Sequence, residues 1–469
     1  MKFVSKKANF PPLGLITVAS LLPAEWDKKL VDMNVEKLRD KDILWADYVF
    51  ISAMVIQKES THEVIARCKA LGIKTVGGGP LFTAEHMEFD DVDHILMYEG
   101  ELSIPQFLAD LENGTPKHLY EWIGWPEITE TPVPAWELIK TNKYTMLNLQ
   151  YSRGCPFNCE FCNVVSLFGH KPRTKTITQL IDELERIYAC GWRGSVFFVD
   201  DNFIGNRNKL KKEVLPVIIA WMKEKSYPFK FFTEVSVNLA DDDELMNLMV
   251  AAGFDNVFVG IETVSEESLA ECHKTQNTNR DLEKSVNIIQ QKGIQVQGGF
   301  ILGFDSDKAT IFERMTSFIQ KSGIVTAMVG MLNAPKGTEL YKRLKKEGRL
   351  ATDFSGTNTD INFVPRMNID KLRAGYKKVV ETIYSPKRYF ERVKGFLKRY
   401  TPPIHTRKNI TFGNIVSFVK ASFILGIISK ERVYYWKLFF WSLFKKPAVL
   451  AMAVTFTVYG YHFRKSLNV

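Results

Sequence analysis

Between residues 13 and 114 short apolar runs alternate with amphipathic stretches: LGLITVASLL (13–22), DYVFISAMVI (47–56), THEVIARCKALG (61–72), IKTVGGG (73–79), HILMYEGE (94–101) and IPQFLADLENG (104–114). β-Rich runs separated by helices that stop at glycine predict parallel βαβ units, and hence a doubly wound, Rossmann-like α/β sheet. MKFV is the one strand-like run before the Pro11-Pro12 pair that opens the first helix, so the first strand of such a sheet is expected to be missing. Residues 115–147, punctuated by Pro116, Pro126, Pro132 and Pro134, predict a connecting segment.

A second alternation starts at Leu147. Strand-like runs occur at 147–152, 195–201, 229–237, 256–262, 296–304 and 326–332, with helical stretches such as 178–190, 242–253, 280–293 and 308–323 between them. Six β/α units predict a barrel, or an open partial barrel, with its active site at the carboxyl ends of the strands. From about Asp370 the strand pattern gives way to basic, aromatic, helical sequence. The pattern divides the chain into 1–120, a linker at 121–146, a (β/α)6 unit at 147–355 and a helical region at 356–469.

Composition adds one feature. The 469 residues are 45% hydrophobic and 25% charged, which excludes a disordered chain and a polytopic membrane protein. The net charge of +9 is unevenly placed: 371–469 holds 20 basic and 3 acidic residues, a net of +17, and 1–370 is left at −8. That tail also carries 20 aromatics, including YYWKLFFW (434–441). It reads either as a small packed bundle or as an apolar surface with a Lys/Arg rim resting on an anionic membrane. The uncharged run Pro447 to Tyr461 is 15 residues long, short of the roughly 20 that span a bilayer. The N-terminus lacks the apolar core of a secretory signal, so export is not expected.

Six cysteines are too few for a disulfide framework, and three crowd into Arg153-Gly154-Cys155-Pro156-Phe157-Asn158-Cys159-Glu160-Phe161-Cys162, directly after the first strand of the second series. A C-x-x-x-C-x-x-C loop turns three thiolates toward one point, as iron–sulfur ligation requires. With three cysteines on four irons, one iron stays open to chelate a small molecule. The rival is zinc, with His170 or Cys190 as fourth ligand. Cys68, Cys190 and Cys272 read as small buried hydrophobes, His62 as a helix-surface residue, and Arg153 as either structural or neutralising cluster charge.

This motif after the first strand of a six-unit β/α barrel resembles the radical S-adenosylmethionine (SAM) superfamily, and the preceding sheet makes the chain similar to its cobalamin-binding methylases. PPLGLITVASLLP (11–23), QYSRGCPFNCEFC (150–162), GWRGSVFFVDDNFIGN (191–206), GGFILGFDSD (298–307) and NFVPRM (362–367) resemble the branch that includes the hopanoid methylases. The resemblance implies a [4Fe-4S] cluster on Cys155, Cys159 and Cys162, and Phe157 near the adenine. It makes Asp200, Asp201 and Asn202 candidates for the methionine ammonium, and Glu234, Ser236 and Glu262 for the ribose or substrate. Gly298, Gly299 and Gly303 would let backbone approach the adenosyl group.

Cobalamin is the third implied cofactor. No Asp-x-His-x-x-Gly loop is present to ligate cobalt. Ser52, the turn Gly77-Gly78-Gly79 and Glu99-Gly100 end successive strands and are the candidates for holding it.

The expected function is therefore reductive cleavage of SAM to a 5′-deoxyadenosyl radical and methylation of an unactivated carbon of a lipid or isoprenoid. It implies an electron donor such as ferredoxin or flavodoxin, and a cytoplasmic location, peripheral on the inner face of the membrane. Two alternatives stay open. One is a non-methylating radical SAM enzyme with a vestigial cobalamin domain; the other, from a different class, is a zinc-stabilised nucleic-acid-binding protein. The first reading expects no nucleic acid.

Overall fold

The computed structural model describes residues 8–351, 361–403 and 412–467. The MKFV segment and the boundary at 355/356 lie outside the described residues. Four parallel strands, β1 (Tyr48–Ser52), β2 (Lys74–Gly78), β3 (His94–Leu96) and β4 (Leu119–Tyr120), lie side by side in chain order. The last belongs to the stretch expected only to connect. It is recruited because Leu119 and Tyr120 pair with Ile95 and Leu96, and the Tyr120 ring meets Phe107 edge-on at 5.7 Å. Phe107 is buried on helix Gly100–Glu112, and helix Lys58–Ala70 buries Val64, Ile65 and Cys68. Each helix thus turns an apolar stripe onto the sheet.

The second series forms β5 (Met146–Leu149), β6 (Ser152–Arg153), β7 (Arg173–Thr174), β8 (Ser195–Phe198), β9 (Lys230–Val235), β10 (Phe254–Glu262), β11 (Gln295–Leu302) and β12 (Ala327–Met331). Strands β5, β8, β9, β10, β11 and β12 make an open, wholly parallel sheet in that order, while β6 and β7 pair antiparallel. Val257, Val259 and Ile261 of β10 are fully buried and alternate with half-buried Phe258 and Gly260. One face of the sheet therefore packs on helices and the other lines an interior. Asp242 and Asp281 cap two of those helices, accepting from Leu245 N (3.0 Å) and Lys284 N (2.9 Å).

Much of the basic tail packs. Helices Ile369–Tyr384 and Pro386–Arg399 cover edge strand β12: Tyr384 Oη donates to Ala327 O at 2.8 Å, and Arg392, 1% exposed, donates to Ile383 O at 2.7 Å. Helix Leu450–Leu467 lies against them, with Phe456 O accepting from Tyr389 Oη at 2.8 Å. Covering an edge strand removes its unpaired backbone from solvent. Helices Phe412–Phe423 and Arg432–Lys445 lie further out. Among the described residues no helix is long and apolar enough to cross a membrane.

Candidate active site

The cysteine loop is bracketed by β6 and β7 and launched from Gly154. There φ is +93°, and a Cβ would lie 2.9 to 3.1 Å from the carbonyl oxygens of Lys171, Gly169 and Phe168, so glycine alone fits. Gly154 N donates to Asp201 Oδ2 at 2.8 Å. Cys159 is buried, Cys155 and Cys162 half-buried. Burial first, then the neighbouring thiols, pushes the Cys155 thiol up and Cys162 to about 12. The three sulfurs thus feel one another's charge, and a bound metal would have to drive the thiols to thiolates. Among the described residues no group of three or more His, Cys, Asp or Glu closes on a single ion. A four-iron cluster fits such spacing better than zinc, because each thiolate takes a different iron.

The acids at the strand ends play distinct parts. Asp200, 1% exposed, accepts from Tyr151 N (3.2 Å) and from the backbone and hydroxyl of Ser152, so its oxygens hold β6 rather than reaching outward. Asp201 holds Gly154 as described. Burial raises them to about 7 and about 6. Asn202 and Ser236 tie the end of β8 to that of β9, with Asn202 Nδ2 donating to Ser236 Oγ at 3.3 Å. Glu234, on β9, makes no hydrogen bond or ion pair among the described residues. Burial, and then repulsion from Asp201 and Glu262, raises it to about 7. Glu262, with φ +61°, is paired to Lys274 at 2.7 Å.

The glycines divide. A Cβ on Gly298 would strike the Phe300 ring at 2.8 Å and Ile324 at 3.1 Å in the helix-facing core, so this glycine serves packing. Gly303, φ +108°, turns against Leu372 of the tail (3.1 Å). Gly299 is on the opposite face of β11 from Gly298, against the Phe258 ring (2.8 Å). Phe157 is half-buried within the cysteine loop.

In the first sheet Ser52 Oγ occupies the space that a Cβ on Gly79 would need (2.7 Å), and Phe82 packs over Gly77 (2.5 Å). Gly78 pairs with Ser52 and Leu96, and Gly100 starts its helix. Glu99 differs from expectation. Its carboxylate is taken by Arg153 and by Arg173 (2.6 Å), while Arg153 also reaches Glu101 (2.8 Å). The carboxyl edge of the first sheet is thereby tied to β6 and β7, beside the cysteine loop. Arg153 is thus a buried bridge. Lys336, after β12, adds a second tie to Glu88 at 3.1 Å.

Cys68 and Cys272 are buried as expected, whereas Cys190 is exposed at the end of helix Ile177–Ala189. His62 is half-buried and stacks on Phe89 at 4.7 Å. Sequence reasoning missed Lys274, Gln276 and Arg173, which carry no local motif. It also missed Met54, Ile56 and Tyr98, exposed apolar residues that follow β1 and β3.

Residues 149–319 match the model of the radical SAM superfamily, and residues 338–468 that of a domain of unknown function, DUF4070. Across 99% of its length the chain is 39% identical to an uncharacterized methyltransferase of Synechocystis sp., covering 88% of that protein. It is 34% identical, over 92% of itself and 83% of the relative, to the hopanoid C-2 methylase of Rhodopseudomonas palustris. The chain belongs to the radical SAM methylases. Two solved structures share the fold of this radical SAM methylase at 14% identity. One is the cobalamin-dependent SAM radical enzyme OxsB (TM-score 0.64, covering 98% of this chain and 78% of that one). The other is the radical SAM methyltransferase TsrM of Kitasatospora setae (TM-score 0.56, covering 84% and 89%).

Proposed function

We propose that this enzyme is a cobalamin-dependent C-methyltransferase acting on an unactivated carbon of a lipid or isoprenoid. The observation that carries the reading is the junction of Glu99 with Arg153 and Arg173, which sets the carboxyl edge of the first sheet against the launch point of the cysteine loop. Cofactors at the two edges would then share one interior. When bound, a [4Fe-4S] cluster supplies the electron that cleaves SAM, and cobalamin supplies a methyl-carrying metal.

This chain's residues take the following parts. Cys155, Cys159 and Cys162 hold the cluster. Glu234, near the end of β9 and two residues before Ser236, receives the cationic end of SAM, where an ammonium would offset its buried charge. Asp200 and Asp201 fix β6 and Gly154 so that the thiols keep their spacing. Ser52 and the Gly78-Gly79 turn, with exposed Met54, Ile56 and Tyr98 beside them, offer a small-residue cradle with apolar walls for cobalamin. A ferredoxin- or flavodoxin-class protein delivers the electron.

The lipid reading rests on the hopanoid relatives and on the outer helices. Phe418, Phe423, Val433, Phe440 and Phe444 are exposed there among Lys420, Lys437 and Lys445, and Glu431, the sole acid in 412–467, is paired to Arg464. An apolar face among cations suits an anionic bilayer on the cytoplasmic side. The test is anaerobic reconstitution of the full chain with iron, sulfide and cobalamin, followed by SAM, reductant and membrane lipid. Methylated lipid with both 5′-deoxyadenosine and S-adenosylhomocysteine is expected. 5′-Deoxyadenosine alone would move the enzyme to the non-methylating reading, and a colourless zinc protein would overturn both.

A further inference from the structure

The segment Cys272–Asn277 follows helix Glu266–Glu271 and has no motif of its own, yet it forms one wall of the cysteine loop. Cys272 O accepts from Glu160 N at 3.0 Å, inside that loop. Asn277, fully buried, clamps the segment to the end of β10 by donating to Gly260 O (3.1 Å) and Ile261 O (3.0 Å). Two polar groups are thereby brought to the loop. Gln276 Nε2 donates to Cys159 Sγ at 3.8 Å, while its buried Oε1 has no partner. Lys274 Nζ, on a side chain 12% exposed, is held by Glu262 at 2.7 Å. Lys274 stands between Cys272 and Gln276, the two residues that touch the loop, so its charge is held beside the cysteines.

Resting on the assignment of the cluster to Cys155, Cys159 and Cys162, we infer that Lys274 and Gln276 tune its reduction. Reduction adds one electron, from a ferredoxin- or flavodoxin-class donor, and no proton. A buried ammonium and an N–H donor at a ligand sulfur both favour the more negative state and raise the potential. Gly260 keeps this arrangement open: a Cβ there would lie 2.2 Å from Glu262 Oε1 and 2.9 Å from Lys274 Nζ.

The test is potentiometric titration of the reconstituted full chain without SAM, following the reduced cluster by electron paramagnetic resonance. Lys274→Met should lower the ratio of reduced to oxidised cluster about tenfold at a fixed ambient potential, about 59 mV for one electron. Gln276→Leu should lower it less, Lys274→Arg should restore it, and Glu262→Gln, which leaves the cation unopposed, should raise it. Opposite shifts for Lys274→Met and Glu262→Gln distinguish charge tuning from structural damage. Should Lys274→Met destabilise the fold, Gln276→Leu and Glu262→Gln carry the test alone. Midpoints that stay at the wild-type value, in variants that load a full cluster, overturn the inference. Wild-type protein that forms no cluster overturns the underlying assignment instead.

Discussion

Arg153, next to the glycine that opens the cysteine loop, is buried against Glu99, just beyond the end of β3, so this ion pair joins the carboxyl edge of the first sheet to the β6–β7 pair that brackets the loop. Arg173 binds the other oxygen of Glu99 at 2.6 Å, and Thr131 Oγ1 donates to Glu101 at 2.6 Å. The network is nearly closed to solvent. Its members therefore depend on one another far more than surface ion pairs do.

Replacing Glu99 by Ala takes the carboxylate from Arg173 and leaves buried Arg153 with Glu101 alone. A loss of about 3 kcal/mol is expected. Denaturant unfolding should show it, and limited proteolysis should cut residues 115–145 faster than in the wild type.

Gly154→Ala places a methyl group among three carbonyl oxygens at a backbone angle that alanine avoids. A cost of about 1–3 kcal/mol is expected, and because the strain falls on the launch point of the loop, iron content after reconstitution should fall more than global stability does.

Cys155→Ala, Cys159→Ala and Cys162→Ala should each abolish the visible chromophore and the bound iron. Cys190→Ser should retain both, because its thiol is exposed at the end of a helix. A zinc site completed by Cys190 predicts the reverse for that variant, so metal analysis separates the two.

Burial raises Glu234 to about 7. Its unfolded counterpart titrates near the ordinary carboxylate value, so between about pH 4.5 and 7 the folded chain holds a proton that the unfolded chain has released. The stabilisation is complete below that window and is lost as pH rises through about 7. The metal-free protein should therefore unfold at lower denaturant at pH 8 than at pH 5.5. Glu234→Gln should flatten the profile and gain on the order of 2 kcal/mol at pH 8, while weakening SAM binding in calorimetry.

Deleting the whole tail is a poor probe of membrane contact, since Tyr384 and Arg392 seal β12. The double change Phe440→Glu and Phe444→Glu alters only exposed positions. Binding to anionic vesicles in co-sedimentation should drop at least severalfold, with the unfolding temperature unchanged.

Local chemistry made much of this legible. The alternation of β1 to β3 and of the six strands of the second sheet follows from apolar periodicity. The cysteine spacing is a short-range property of eight residues. β4 was obscured because two residues acquire strand character only by pairing with β3. Asp200 and Gly298 sit where a ligand-facing reading is natural, yet the first turns its oxygens to β6 and the second yields its space to Phe300. Cys190 reads like Cys68, and only packing leaves one exposed and the other buried.

The sequence alone determined the strands and helices, the cysteine loop and the split between an acidic body and a basic tail, because each is written in neighbouring residues. Tertiary structure decided what those pieces do to one another. Arg153 meets Glu99 across 54 residues, and Gln276 meets Cys159 across 117. Such encounters depend on how two sheets dock and where a loop is clamped, and no local pattern encodes them.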